Sequence, residues 1–327
     1  MLTVTLYMRQ NCPLCMKAEE DLKDLQGQIP HRLVLIDIEQ EGISEFVDKI
    51  PVIEIGPYQI KAPFDKKDIQ MTLGAANDRI QQLDNIQTDA HQKRIKRGSE
   101  ISFGDRLFQW LSRRYMVIFN AFTLLYVGLA FLAPVLMNGG RIGSANLIYS
   151  VYGRLCHQLS FRSWFLYGEQ GAYPREIAKL PNLVTYEDAT GNDPFNLEKA
   201  IRFRGNEELG FKVAFCQRDI AIYSAILLFG IIFSLTGRKI PSLPLAAWFL
   251  LGILPIGLDG LSQIVSQLPW DIIPVRESTP LLRTITGGLF GFTTAWFGYP
   301  IVEESMADSR KVMAVKFKAA QIKDQSE

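Results

Sequence analysis

The chain has 327 residues, enough for about two domains, and its 35 basic and 34 acidic side chains leave a formal charge of +1. That balance excludes the whole-chain basic bias expected of a nucleic-acid-binding protein. Four cysteines, Cys12, Cys15, Cys156 and Cys216, are too few for a disulfide-stapled secreted scaffold. Apolar residues are unevenly spread: residues 1–114 are densely charged, whereas residues 115–302 hold long runs without any charge. Residues 2–8 are apolar but too short for a signal peptide, and no basic region or cleavage site frames them. The first domain is therefore expected to stay in the cytosol.

Thr3–Met8 reads as a short strand, and Cys12-Pro-Leu-Cys15 follows almost at once. Pro13 to about Gln26 reads as a helix, with Met16, Leu22 and Leu25 on one side and Glu19, Glu20 and Asp21 outward; Gly27 stops it. Arg32–Ile38 is nearly continuous in apolar residues, as in a strand covered on both faces. Strand, helix and strand at this spacing predict a parallel βαβ unit. A short helical stretch, Ile43–Lys49, leads to Pro51. Two strands then follow, Val52–Ile55 and Tyr58–Lys61, and Asp65 can cap a last helix running to about Leu83.

Cys12 falls at the N-terminal end of the first helix, where unpaired N–H groups and the helix dipole favour a thiolate. Arg9 and Lys17 add positive charge nearby. Cys15, one turn in, is placed to resolve a mixed disulfide by attacking Cys12. Three readings compete: a redox pair, half of a zinc or iron–sulfur site, or a fold kept only for docking. A metal site needs two more ligands, and no second Cys or Cys/His pair lies within this domain. Redox is the leading reading.

The motifs "YMRQNCPLC", "LIDIE", "IPVIEIG" and "PFD", in that order over about residues 2–76, resemble the glutaredoxin-like branch of the thioredoxin fold. The resemblance implies an α/β domain (βαβ-α-ββα) over residues 1–76, with Cys12 and Cys15 as the catalytic pair. It also implies that Ile50-Pro51 is the cis-proline facing them, whose missing N–H leaves the neighbouring backbone free to hold a substrate chain. Glutathione-binding members carry a Gly-Gly-Asp-like turn before the last helix, where this chain has Lys61-Ala-Pro-Phe-Asp65. Glutathione and a protein dithiol therefore both stand as electron donors.

Residues 77–114 read as a polar, mostly helical connector ending in basic clusters, Lys93–Arg97 and Arg113-Arg114. Their place just before an apolar run assigns them to lipid headgroups or topology rather than nucleic acid. Four charge-free windows approach the length of a membrane helix: Tyr115–Met137, Ile220–Gly237, Ile240–Leu258 and Thr284–Val302. Gly287 and Gly291 give the last a small-residue stripe for close packing. The expectation is an all-α four-helix transmembrane domain over residues 115–303, with a long outer loop at 138–218 and a cytosolic tail at 304–327. Seven basic residues lie between Lys93 and Arg114, two (Arg238, Lys239) between the second and third windows, and five from Arg310 onward. Placing all three groups inside predicts a multi-pass cell-membrane protein with both termini cytoplasmic.

Cys156 and Cys216 then fall on the opposite side from Cys12. Leu147, Val151 and Leu155 share one face of an amphipathic stretch ending at Cys156-His-Gln158, and Phe215-Cys-Gln-Arg-Asp219 opens the second span. Asp259 and Gln263 lie one turn apart near the outer end of the third span, and Arg283 opens the fourth. Ionisable groups at membrane level usually pair, face the bundle interior and mark function. Cys156, His157, Gln158, Arg162, Cys216, Arg218, Asp219, Asp259, Gln263 and Arg283 are thus expected to converge on one outer pocket, with Asp259 and Arg283 as partners. The two cysteines can form a structural disulfide, exchange electrons with a quinone or an external protein, or, with His157 and Asp219, bind zinc or copper.

Cys-His-Gln, Arg-Ser-aromatic, Cys-x-Arg-Asp with Tyr223, "GLDGLSQ" and "LLRTITGGLFG" over about residues 145–300 resemble an uncharacterised family of predicted prokaryotic membrane proteins. That resemblance brings no activity, and a polar insertion at roughly 168–210 departs from it. The leading expectation is a membrane-anchored thiol–disulfide oxidoreductase, with the bilayer and a protein or small thiol as partners. The alternatives are a transporter or metal-handling membrane protein whose glutaredoxin-like domain senses or delivers, and a fold serving only as an interaction module. The sequence carries no sign of the oligomeric state.

Overall fold

A computed structural model of the chain describes residues 2–43, 45–85, 100–193, 195–269 and 273–326. It divides into two compact units, one formed by residues 1–115 with 303–327 and the other by residues 116–302.

The first unit is built on β1 (Leu2–Met8), β2 (His31–Asp37), β3 (Val52–Ile55) and β4 (Tyr58–Lys61). β1 runs parallel to β2 with Leu2 opposite His31, and antiparallel to β3 with Tyr7 opposite Val52. The sheet order is β2-β1-β3-β4. With α1 (Pro13–Leu25) as the crossover and α2 (Lys66–Asn85) after the hairpin, this mixed sheet is a thioredoxin-like arrangement. Side chains alternate across β1 as a pleat requires. Val4 and Leu6, with Ile53 and Ile55, meet Ala18, Leu22 and Leu25 of α1 and Ile69, Leu73 and Ala76 of α2. Met16 is exposed, so the buried stripe of α1 is Cys15, Ala18, Leu22 and Leu25, one step round from the expected one. Asp65 and Asp68 cap α2 reciprocally, each carboxylate accepting the other's N–H at 2.9 Å.

The opposite face, with Tyr7, Val34, Ile36 and Val52, has an unexpected cover. Within the stretch expected as a helix at Ile43–Lys49, residues 45–49 form turns, and Ile43 and Phe46 contribute to the cover. A segment this short gains too few internal hydrogen bonds to hold a helix alone. The rest of the cover comes from the end of α9 (Pro280–Ser326), through Ala314, Val315, Ala319 and Ile322. Lys311 of this helix lies 4.3 Å from the Phe46 ring centre and within 3.2 Å of Glu54, whose other oxygen accepts the Tyr7 hydroxyl at 2.8 Å. Lys318 donates to the Leu35 carbonyl at 2.8 Å on the sheet's edge strand β2. The start of α3 (Phe103–Asn138) joins the unit through Arg113 to Glu41 at 2.6 Å and Asp105 to Lys316 at 2.8 Å. The basic cluster Lys93–Arg97 lies outside the described residues.

In the second unit, three helices among the described residues are long and apolar enough to cross a membrane: α3, α7 (Gln217–Leu235) and α8 (Leu245–Val265). Val117, Phe122 and Leu125 of α3, Leu228 and Leu235 of α7, and Leu258 and Leu261 of α8 face outward, an apolar surface suited to lipid. The third span starts later than expected because Pro241 and Pro244 keep residues 240–244 out of the helix. A π-helical stretch, Phe249–Ile253, precedes Pro255, whose missing N–H leaves a carbonyl one turn back without its usual donor. Residues 284–302 are helical within α9, but their glycines and threonines make them less apolar, and they are not among the three. Those glycines bring α9 against α7: a Cβ on Gly291 would lie 2.1 Å from the Ile222 carbonyl oxygen, and one on Gly287 2.7 Å from that of Arg218.

The region between α3 and α7 is folded. α4 (Ile142–Tyr152) buries Ala145, Tyr149 and Tyr152, while Leu147 and Val151, and Leu155 beyond it, share an outward face. β5 (Ser163–Leu166), β6 (Gly205–Asn206) and β7 (Gly210–Cys216) form an antiparallel sheet in the order β5-β7-β6. Short helices α5 (Tyr186–Thr190) and α6 (Leu197–Arg202) close over it, and Phe161, Phe165, Tyr173, Tyr186, Ala200 and Leu209 form a separate core. The polar insertion is a small folded cap.

Placing a carboxylate at Ala314, which is 3% exposed, is expected to destabilise the first unit by roughly 2–4 kcal/mol. In the Ala314→Asp protein, amide hydrogen exchange should accelerate across His31–Asp37 and stay unchanged in α7.

Candidate functional site

Cys12 is the N-cap of α1. Asn11, in a left-handed conformation, turns the chain out of β1, and Pro13 occupies the first helical turn where no N–H is needed. The Cys12 sulfur accepts the Cys15 N–H at 3.2 Å, and its carbonyl accepts those of Cys15 and Met16, each at 3.1 Å. Cys12 and Cys15 are joined in a disulfide. Cys15 is fully buried and Cys12 half-exposed, so an incoming sulfur meets Cys12 first. The β1–β3 register sets Pro51 beside Met8, at the sheet end where the chain enters the Cys12 turn, and the Ile50-Pro51 peptide is cis. Lys17 is exposed, and Arg9 pairs with Glu39 at 2.7 Å, so its charge is shared with a carboxylate.

In the second unit, Cys156 follows α4 and Cys216 is the N-cap of α7, accepting the Asp219 N–H at 3.4 Å. Both thiols are free. Their sulfurs and an Asp219 carboxylate oxygen all lie within 4.8 Å of one another. The Cys216 thiol donates to Cys156, which lowers the Cys156 pKa and, with burial, raises that of Cys216. His157 is exposed and outside this trio. Gln158 is buried with a left-handed backbone, and its amide donates to the Tyr149 carbonyl at 3.0 Å and the Ala214 carbonyl at 2.9 Å. Lys212, fully buried on β7, donates to the Gln158 and Ile201 carbonyls, each at 2.7 Å, and burial pushes its pKa down to about 7. These bonds tie the turn carrying Cys156 to the strand carrying Cys216.

The expected Asp259–Arg283 pair is not formed. Asp259 is paired with Arg218, and it accepts from Arg276 at 2.9 Å and from Ser278 at 2.8 Å. Arg283 is paired with Glu277 and donates to Gln263 at 2.8 Å. Arg162 meets the same Glu277 in a two-bond fork at 2.8 and 3.1 Å, with Arg175 at 3.5 Å. The difference is positional: the segment before α9 folds back, so Glu277 lies over Arg283 while Asp259 faces the start of α7. The sequence held a usable signal for Glu277. Arg162, Arg218 and Arg283 outnumber Asp219 and Asp259, and Arg276-Glu-Ser278 adjoins the last span. Arg175 and Lys212, inside the insertion and a short strand, carried no comparable signal.

The fold and these two sites define a glutaredoxin-like domain joined to a membrane domain. The family model for a glutaredoxin-like domain (DUF836) matches residues 3–74, and that for a predicted membrane protein (DUF2085) matches residues 202–297; the chain carries one domain of each family. It is similar to the uncharacterized protein MJ1492 of Methanocaldococcus jannaschii, 25% identical over 204 residues, covering 59% of this chain and 96% of that protein. No solved structure matches.

Glu277 and Arg283 side chains are 3% and 4% exposed. Glu277→Gln leaves buried guanidinium groups without their counter-charge and is expected to cost about 3–5 kcal/mol in detergent unfolding. A double-mutant cycle should give Glu277 and Arg283 a larger coupling than Asp259 and Arg283.

Proposed function

We propose that the protein is a membrane-anchored thiol–disulfide oxidoreductase working through Cys12 and Cys15. The observation that carries this reading is the half-buried Cys12 at the start of α1, bonded to a fully buried Cys15. In the reduced protein, the unpaired N–H groups and dipole of α1 favour the Cys12 thiolate. That thiolate attacks one sulfur of a substrate disulfide, forming a mixed disulfide and expelling the other sulfur as a thiolate. Cys15, once deprotonated, then attacks Cys12, releasing the second substrate sulfur and closing Cys12–Cys15. The substrate gains two electrons and the pair loses two. Glutathione or a protein dithiol restores the pair by the reverse exchange.

In the purified full-length protein, reduced beforehand with a dithiol, Cys12→Ser should abolish exchange with a test substrate that carries a disulfide. Cys15→Ser should still make the first attack and trap the mixed disulfide. Exchange surviving in Cys12→Ser, or faster alkylation of Cys15 than of Cys12 at mildly acidic pH, would remove the assignment.

The anchoring reading adds residues 284–302 as a fourth span and puts both termini in the cytoplasm. Support comes from the basic residues at Lys93–Arg114, Arg238-Lys239 and from Arg310 onward. The hydrocarbon core is about 30 Å thick, so Cys12 and Cys156 would then stand on opposite sides and exchange no disulfide directly. In intact cells, after reduction, a membrane-impermeant maleimide should label Cys156 or Cys216 and spare Cys12. Equal labelling of Cys12 without lysis would invert the topology.

A further inference from the structure

Cys156, Cys216 and Asp219 bring two sulfurs and a carboxylate together from two separate segments of the second unit, independently of the Cys12–Cys15 pair. We propose that these three side chains bind one zinc-class divalent cation, with a fourth coordination position left to water or an exchanging ligand. Zinc takes sulfur at about 2.3 Å and carboxylate oxygen at about 2.0–2.2 Å. A tetrahedral site therefore holds its donors roughly 3.5–4 Å apart, and the three atoms here already lie within 4.8 Å of one another. The donor chemistry selects the cation. Two thiolates exclude magnesium and calcium, which take all-oxygen sites, and a carboxylate beside them favours zinc over the softer copper(I).

The scaffold around the donors is tied together by hydrogen bonds. Cys216 and Asp219 are held by the first turn of α7, where the Asp219 N–H already points at the Cys216 sulfur. Cys156 is held by its neighbour Gln158, clamped to the Tyr149 and Ala214 carbonyls, and by Lys212, which grips the Gln158 carbonyl. Gln158 is buried, and its left-handed backbone marks a position that the surroundings enforce. Supporting shells of this kind orient metal ligands.

Charge is consistent with a dication. Among the described residues, Arg162, Arg175, Arg218, Arg276 and Arg283 share the carboxylates of Glu277 and Asp259. Extra positive charge would be opposed there. Zinc binding displaces the two thiol protons as it adds two positive charges. The trio carries a net charge of −1 before and after, from Asp219 alone or from two thiolates, Asp219 and the ion together.

The test uses the full-length protein in detergent carrying Cys12→Ser and Cys15→Ser, so that Cys156 and Cys216 are its only thiols. Reduced, metal-free protein is titrated anaerobically with cobalt(II), then with zinc. The expected result is one cobalt per chain, with sulfur-to-cobalt charge-transfer absorbance and the intense visible bands of a four-coordinate ion, displaced by one equivalent of zinc. Zinc should slow maleimide labelling of both thiols at least tenfold, a readout on the unaltered site that needs no further variant. Asp219→Asn should weaken cobalt binding by roughly tenfold or more, as loss of a ligating or ligand-orienting group does. The proposal is overturned if the charge-transfer bands are absent while zinc leaves both thiols fully reactive. It is equally overturned if mild oxidation closes a Cys156–Cys216 disulfide that forms at the same rate with zinc present. Neither outcome bears on Cys12 and Cys15, because both are absent from the tested protein.

Discussion

A strand that is apolar on both sides must be covered twice, and in this protein the second cover of β2 comes from the far end of the chain. Val34 and Ile36 pack beneath Ala314, Val315, Ala319 and Ile322, some 280 residues downstream. Isolated sheets of this size are marginal in water, and the hydrophobic gain of covering the second face is what makes the sheet stable. The cover is pinned by polar contacts at its margins: Lys311 between the Phe46 ring and Glu54, and Lys318 on the Leu35 carbonyl of the edge strand. The small side chain of Ala314 lets the helix lie close. The first unit is thus completed only once the last helix exists, although its sheet and its cysteine pair are encoded within the first 85 residues.

The second unit depends on a different constraint, the cost of charge in a poorly hydrated place. Glu277 gathers Arg162, Arg175 and Arg283, and Asp259 gathers Arg218 and Arg276. Each carboxylate therefore binds segments remote in sequence, the turn before β5, the cap, the start of α7, the end of α8 and the start of α9. Exposed ion pairs contribute little to stability, but at a buried site removing one partner strands the others. This arrangement fixes where β7 delivers Cys216 and where the turn after α4 delivers Cys156. The glycine contacts of Gly287 and Gly291 with the α7 backbone keep the same helix starts close together.

The cysteine pairs illustrate how environment divides one chemistry. Cys12 and Cys15 sit three residues apart across a helix start, the spacing that allows closure without backbone movement, and they are bonded. Cys156 and Cys216 are 60 residues apart and held by separate clamps, near each other and near Asp219, but unbonded. The Cys216 thiol donates to Cys156, which lowers the Cys156 pKa and raises that of Cys216.

Much of this was legible in the order of residues. Local patterns determined β1 to β4, α1 and α2, because short β-rich runs, the Gly27 stop and the Asp65 cap are short-range signals. The charge-free runs announced α3 and α7, and the glycine pair announced close packing of α9 without naming α7 as the partner. Four decisions belonged to the tertiary structure alone. Residues 304–327 read as a cytosolic tail, since nothing in Ala314, Val315 and Ala319 says which sheet they cover. Leu147 and Val151 read as one face of an amphipathic stretch, and only the fold turns that face outward, because sequence periodicity shows that a helix has an apolar side without showing what meets it. The insertion near 168–210 read as polar, although Tyr173, Tyr186 and Leu209 close a core there only after β5, β6 and β7 pair. Arg283 found Glu277 instead of Asp259, because partner choice among buried charges is set by where helix ends and loops finally lie. Sequence determines which side chains need a partner or a cover; only the folded chain, through distances of a few ångströms, decides which one they get.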